Sequence, residues 1–511
     1  MAIGTALSVG LIGLNTFTVT MQAFISPGLP YFSIIGLPDA SLSEARERVK
    51  SACSSTGFRW PETRVTVNLS PASLPKRGAC HDLAIAASVL CAGGCIPHDC
   101  LEHTLALGEL KLDGTVLPVD GILPILLHAR QSGISRAFIP YANMEEADMI
   151  DGVSLIPVRH LGELIQHLGG RANYQIADDV SVTASSSQSG LELDSERNRD
   201  MDQVIGQEQV KWALEVAAAG GHNIIMVGPP GTGKSMLAAR LPSIMPPMDE
   251  RAQLEVASIR SLCGTLPAYG ITETPPFEAP HHTSSAAALV GGGSGTVRPG
   301  AITRAHAGVL FLDEAPEFAP KVLQTIREPL ETGHISLSRS KHSARYPARF
   351  QLVMAANPCP CGQNWGSGER CTCSKRERER YWNRLSGPIL DRIDIQVTVP
   401  PVSNLCDLPD EERESSATIR KRVCSARTIA ADRFRLHGWA CNAQASGDWL
   451  RNHTSAKAMQ PAADALESQR LSLRGVDRTL RLAWTLADLA GRTSPSIDDV
   501  AAGIDLRTRL A

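Results

Sequence analysis

The amino-acid sequence predicts an α/β protein whose last fifth is helical, and three observations carry that prediction. The first is Met226-Val-Gly-Pro-Pro-Gly-Thr-Gly-Lys-Ser-Met-Leu-Ala-Ala-Arg240, which reads strand, glycine loop, helix, with the apolar run Asn223 to Val227 as its strand. The second is Gly308-Val-Leu-Phe-Leu-Asp-Glu314, an apolar strand of the kind buried on both faces of a parallel sheet. The third is helical spacing through residues 403–511, clearest from Arg470 to Leu489. These predict an N-terminal α/β domain over 1–170, a linker over 171–200, a core over 201–402 with a parallel sheet and helices on both faces, and a helical domain over 403–511.

In the N-terminal part, Thr16 to Ile25 alternates like a strand, Ser41 to Thr56 has helical spacing, Arg64 to Leu69 is a second strand and Asp82 to Cys91 an apolar helix. Ala106 to Leu117 reads as a hairpin turning at Asp113-Gly114. A helix from Ile122 to Ser132 and a strand from Ala137 to Pro140 follow. Val182 to Gly190 is nearly all Ser, Thr, Ala, Gln and Gly, a composition that buries no core and reads as linker.

The glycine loop is built to hold a triphosphate. Gly228, Pro229, Pro230, Gly231, Thr232 and Gly233 let backbone N–H groups approach phosphate oxygens, Lys234 meets the β and γ oxygens, and Ser235 ligates Mg²⁺. Asp313 and Glu314 stand at a strand's C-terminal end, where open parallel sheets place ligands. Read with the glycine loop, Asp313 belongs to the Mg²⁺ shell and Glu314 polarises the attacking water. A further strand, Phe350 to Asn357, ends in an amide and is stopped by Pro358.

The bulk numbers exclude some classes. Across 511 residues the net charge is −3, so positive charge for a nucleic acid must be local. Aromatics make up 5%, too few for a broad base-stacking platform. No run of eighteen apolar residues is present, and Met1 to Leu14 lacks the basic flank of a signal peptide, which leads us to expect a cytoplasmic protein with no membrane partner. Most of the 13 cysteines are scattered, but Cys359, Cys361, Cys371 and Cys373 cluster around a glycine-rich spacer. Four thiolates suit Zn²⁺, and four reduced thiols in a loop are the other reading. Adjacent His281 and His282 fit a structural or pore role better than a shared ion.

The runs Gly36-Leu-Pro-Asp39, Val67-Asn-Leu-Ser-Pro-Ala72 and Leu74-Pro-Lys-Arg-Gly78 resemble the N-terminal domain of the ComM/YifB proteins, bacterial AAA+ ATPases related to magnesium chelatase. That domain is similar to the proteolytic domain of Lon protease. The resemblance places Cys80 where Lon has its serine and Leu123 where Lon has its lysine, and a leucine accepts no proton from a nucleophile. A fold without peptidase chemistry is the expectation, and an ATP-dependent protease the weaker alternative.

The same resemblance covers nearly the whole chain. It implies that Ile205, in Val204-Ile-Gly-Gln207, lies beside adenine; that Asn357 is the first sensor; and that Arg392, in Ser386-Gly-Pro-Ile-Leu-Asp-Arg-Ile-Asp394, is an arginine finger supplied to a neighbouring subunit. Leu471-Ser-Leu-Arg474 is similar to the second-sensor segment, with Arg478 a competitor for Arg474. Phe277 to Thr283, leading into a mobile loop at Leu289 to Gly295, matches an inserted element, and Gly333 to Arg345 a hairpin carrying Arg339, Lys341 and Arg345 near its tip. In related helicases both elements grip DNA backbone in a central pore, although basic residues at a hairpin tip also serve as a solvated edge-protecting cluster. The resemblance therefore implies a homo-hexameric, ATP- and Mg²⁺-dependent DNA translocase promoting branch migration. The alternative is a chelatase-like ATPase that remodels a partner protein.

Overall fold

A computed structural model of the chain describes residues 3–36, 39–74, 76, 79–176, 199–267, 270–292, 298–339, 342–385, 387–401 and 413–508. The serine- and threonine-rich linker stretch lies outside the described residues.

The N-terminal part is built on a mixed seven-stranded sheet. Its elements are β1 (Ile3–Ile12), β2 (Asn15–Ser26), β3 (Tyr31–Ile35), helix α1 (Asp39–Ser55), β4 (Arg64–Ser70), α2 (Asp82–Ala92), β5 (Thr104–Ala106), the short pair β6 (Glu109–Leu110) and β7 (Val116–Leu117), α3 (Ile122–Gln131), β8 (Arg136–Pro140) and β9 (Ser154–Val158). The strand order is β3-β4-β2-β1-β5-β8-β9. β2 to β4 largely alternate buried with more exposed residues, whereas β1 buries Ser8, Val9 and Gly10 in a row because α3 packs on its second face. Helix α2 is buried from Asp82 to Cys91, which is why its sequence is apolar on every side.

Three strands here were not legible from the sequence. β1 carries little of the clean alternation that marks a half-buried strand, yet it pairs with β2 along its whole length, from Ile3↔Phe24 to Ile12↔Asn15. β3 (Tyr-Phe-Ser-Ile-Ile) shows no strict alternation and Pro157 interrupts β9, so neither reads as a strand. The expected hairpin is shorter than read: only β6 and β7 pair, while Ala106 belongs to β5 in the main sheet.

The core is a five-stranded sheet in which every pairing is parallel. In chain order it contains α4 (Glu208–Gly220), β10 (Ile224–Val227), α5 (Lys234–Ala238), α6 (Glu250–Cys263), β11 (Phe277–Glu278), the pair β12 (Gly291–Gly292) and β13 (Arg298–Pro299), β14 (Val309–Leu312), the hairpin β15 (His334–Arg339) and β16 (His342–Pro347), β17 (Gln351–Ala356) and β18 (Ile395–Thr398). The sheet order is β11-β14-β17-β10-β18. β10, β14 and β17 are buried at every residue, and two apolar clusters fill the two faces of the sheet. This accounts for their unbroken apolar runs.

The stretch that leads into the expected mobile loop at Leu289–Gly295, and the first residues of that loop, are in regular structure. Phe277-Glu278 is the edge strand of the sheet, pairing with Val309 and Leu310, and Ala286–Val290 is a short helix that buries Leu289 completely. The glycine-rich remainder, 293–297, lies outside the described residues.

The C-terminal part is helical, with α7 (Ser416–Arg433), α8 (Leu473–Leu489) and α9 (Ile497–Thr508) among its helices. Leu482 and Leu486 of α8 join the core cluster on one face of the parallel sheet, which fastens these helices to the β18 edge. The N-terminal and core parts also share a joint. Ser261 of α6 lies with its Oγ 3.4 Å from the Leu123 backbone N–H, and its carbonyl accepts from the Gly121 N–H at 3.2 Å. Ala257, Leu254 and Leu266 pack into the same apolar cluster as α3.

Candidate active site

The glycine loop leaves β10 at its C-terminal end, and the Gly228 N–H donates to the Ala356 carbonyl at 3.2 Å, tying the loop to the neighbouring strand. Gly233 takes φ +86 and turns the chain into α5, a backbone conformation that side chains resist. Lys234, at the first turn of α5, is buried. Its Nζ donates to the Gly228 carbonyl at 2.7 Å, the Pro229 carbonyl at 2.8 Å and Asn357 Oδ1 at 3.2 Å. Burial pushes its pKa below the ordinary lysine value, and the charges of Asp313 and Glu314 oppose that push.

Ser235 Oγ donates to Asp313 Oδ2 at 2.7 Å, so the hydroxyl and the carboxylate that suit a hard divalent cation already lie side by side. Glu314 sits in the left-handed region at φ +50, accessible to solvent. Its Oε2 lies 3.3 Å from His282 Nδ1. This histidine was not recognised as part of the site. It follows the two-residue strand β11, and a strand that short leaves no pattern to place His282 beside β14. His281 Nδ1 is 2.8 Å from Thr283 Oγ1 instead. Ile205 is half-buried at the entry to the core, before α4.

Thus Lys234, Ser235, Asp313, Glu314 and Asn357 converge at the C-terminal ends of the parallel strands. Arg392, Arg474 and Arg478 lie at the N-terminal ends. They line a cavity of about 990 Å³ together with Asn223, Gly308 and Gln351, the residues that begin or precede β10, β14 and β17. Arg392 pairs with Glu331. Arg478 pairs with the buried Asp394, and His222 Nδ1 approaches the same carboxylate at 3.1 Å. Arg474 is exposed. A second sensor reaching over the glycine loop of its own chain is not what this placement offers, because α8 presents its arginines to the N-terminal ends of the strands.

The hairpin β15–β16 pairs Arg339 with His342 at its end, whereas Arg345 stands opposite Ser336, away from the tip. The expected place of Arg345 is corrected accordingly. It is exposed, with Nη2 3.0 Å from His334 Nδ1, and lines a groove with His128 and Arg349 between the hairpin and the N-terminal part. The Arg339 side chain and Lys341 lie outside the described residues.

Cys359, Cys361, Cys371 and Cys373 form the one group among the described residues whose ligand atoms are placed to hold a metal ion, all within 4.8 Å of one another. Sulfur–sulfur distances are 3.3 Å for Cys359–Cys361, 3.7 Å for Cys359–Cys371 and 3.8 Å for Cys361–Cys371. Thiolates about 2.3 Å from a tetrahedral zinc ion stand about 3.8 Å apart. The spacing fits a single ion. Backbone N–H groups of Gln363 and Thr372 donate to Cys361 and bring its thiol down to about 6, so it offers a thiolate at neutral pH.

A parallel sheet with a glycine loop at β10, an acidic pair at the end of β14 and a polar amide at the end of β17 defines a P-loop ATPase of the AAA+ class. Family models match along the chain: magnesium chelatase subunit ChlI over residues 200–405, subunit ChlI of Mg-chelatase over 21–143, and the ChlI C-terminal region over 413–507. An uncharacterized protein of Mycobacterium tuberculosis is 47% identical over 510 residues, 99% of each chain. Competence protein ComM of Haemophilus influenzae is 37% identical over 494 residues, 96% of this chain and 94% of that one. The uncharacterized protein YifB of Escherichia coli is 37% identical over 480 residues, 94% and 92% of the two chains. The chain belongs to the ComM/YifB family of magnesium chelatase-like ATPases. A stretch of the chain is also similar to Lon protease 2 of Bacillus subtilis, 30% identical over 124 residues, 24% of this chain and 22% of that one.

Proposed function

We propose that the chain works as a homo-hexameric, cytoplasmic ring motor that hydrolyses ATP to move on DNA, promoting branch migration as incoming DNA recombines. The observation that carries this reading is the division of the site between the C-terminal and N-terminal ends of the parallel strands. Four-residue strands separate Lys234 from Arg392, Arg474 and Arg478 by about 13 Å of backbone alone. Cations that far from their own glycine loop are useful to phosphoryl transfer when a second copy brings its loop to them, with Arg392 as the finger and Arg474 or Arg478 beside it. Ser235 and Asp313 would hold Mg²⁺, which would supply charge neutralisation at the phosphates, and Glu314 would orient the attacking water.

DNA as the substrate is supported by the hairpin β15–β16, which lies between the acidic strand β14 and the amide strand β17 and carries Arg339, Lys341 and Arg345. The relative named a competence protein agrees with it. For the cysteine cluster we propose zinc, the ion whose tetrahedral thiolate geometry the sulfur spacing matches. Steady-state ATPase with and without branched DNA tests the function. DNA should raise the rate, and Arg339→Ala with Lys341→Ala should remove most of that rise. A rate indifferent to DNA in the parent protein would replace this reading with a chelatase-like ATPase that acts on a partner protein.

A further inference from the structure

The loop that carries the four cysteines begins inside the nucleotide site. Asn357 Oδ1 accepts from Lys234 Nζ at 3.2 Å, and two residues on, Cys359 is fully buried and opens the thiol cluster. Past Cys361 the chain folds onto the glycine loop itself. Gly362 takes φ +73, and a Cβ built there would lie 2.6 Å from Cδ and Cγ of Pro230. Only a glycine lets the cysteine loop approach the phosphate loop this closely.

The return half of the loop is fastened at two points, where Arg378 donates to Asn364 Oδ1 at 2.8 Å and Trp382 Nε1 to the Pro358 carbonyl at 3.2 Å. Residues 363–373 themselves are exposed or half-buried. Fixing each of them costs about 1–2 kcal/mol of backbone entropy, with little apolar burial to offset it. A tetrahedral metal tying Cys359 and Cys361 to Cys371 and Cys373 offsets that cost, as structural zinc sites do in small loops.

We infer that the metal held by these four cysteines is a structural part of the phosphate-binding site: it keeps Gly362 against Pro230 and fixes Asn357 beside Lys234, so that the metal-loaded chain binds ATP tightly and the metal-free chain does not. Cys359, Cys361, Cys371 and Cys373 are then positioning residues for a nucleotide that none of them touches. The inference rests on the zinc reading given above, and its test separates the two.

The full-length chain is purified from zinc-replete medium, its metal content is measured by plasma emission spectrometry, and binding of a fluorescent ATP analogue with Mg²⁺ is titrated. One zinc per chain is expected. Chelation should weaken ATP binding about tenfold, with recovery on adding zinc back. Cys371→Ser with Cys373→Ser should lose the zinc and show the same weakening. Gly362→Ala should retain one zinc and still bind ATP about tenfold more weakly, because its methyl group meets Pro230. Lys234→Ala should lose ATP binding and keep its zinc.

A parent protein without zinc overturns the zinc reading, and the inference with it. A zinc-free chain that keeps its circular dichroism and binds ATP like the parent overturns the inference and leaves the zinc reading standing. If the zinc-free chain unfolds, Gly362→Ala decides, and parental ATP affinity in that variant overturns the inference.

Discussion

Two α/β regions of the molecule, the nucleotide site and the surroundings of Cys80, treat their polar groups in opposite ways. In the nucleotide site, Lys234 is buried with oxygen partners on three sides, Ser235 and Asp313 share a hydrogen bond, and Glu314 faces solvent beside His282. At Cys80, which the sequence resemblance sets against Lon's serine, the side chain packs against an apolar cluster in which Leu123 is 1% exposed. Burial, with a smaller contribution from the charge of Asp82, pushes the Cys80 thiol up to about 12. A thiol raised that far is disfavoured as the thiolate, and a leucine at 123 offers no lone pair to take its proton. The N-terminal part is instead joined to the core close by, since the backbone N–H groups of Gly121 and Leu123 face Ser261 of α6.

The largest expected effect breaks the comparison on its active side. Lys234→Ala removes the one buried cation of the glycine loop, and steady-state ATP hydrolysis should fall about 10³-fold. Activity within tenfold of the parent would place the phosphate-binding cation elsewhere.

The next effect asks what a partnered buried charge contributes when it lies outside both regions. Asp394 is 2% exposed and joins core to helical domain through Arg478 and His222. Burial raises its pKa, but the Arg478 charge and the His222 contact more than reverse this and hold it below the usual carboxylate value of 3.8. Because the folded pKa lies below the unfolded one, the stabilisation is complete above about pH 4 and is lost as pH falls further. Asp394→Asn should therefore cost about 3 kcal/mol in urea unfolding at pH 7. The difference from the parent should shrink below pH 4. A difference that persists in acid would mean the carboxylate's charge is not what joins the two parts.

How much of this was legible follows the length of each signal. The strands β10, β14 and β17 and the glycine loop are announced by unbroken apolar runs that end in Gly228, Asp313 and Asn357. β11 is not, and with it went the place of His282 beside Glu314, because two residues hold no period. Arg474 and Arg478 were legible as candidates, but the strand ends they occupy are set by how α8 packs on the β18 side of the sheet, a tertiary fact. The cysteines were legible as a cluster. Their contact with the phosphate loop depends on Gly362 lying on Pro230, which spacing along the chain does not encode.

The smallest effect tests the surroundings of Cys80. Cys80→Ala removes a largely buried thiol that makes no hydrogen bond to a base, so it should cost about 1 kcal/mol of stability, the transfer free energy of one small group. ATP hydrolysis should not change, since Cys80 touches nothing in the parallel sheet of the core. Casein and short peptides should survive incubation with parent and variant alike, with ATP present or absent. Peptide cleavage by the parent that disappears in Cys80→Ala would mean that some other group takes the thiol's proton in place of Leu123. The contrast between the two regions would then be one of regulation, with cleavage released only when the core moves Ser261 away from the Leu123 backbone.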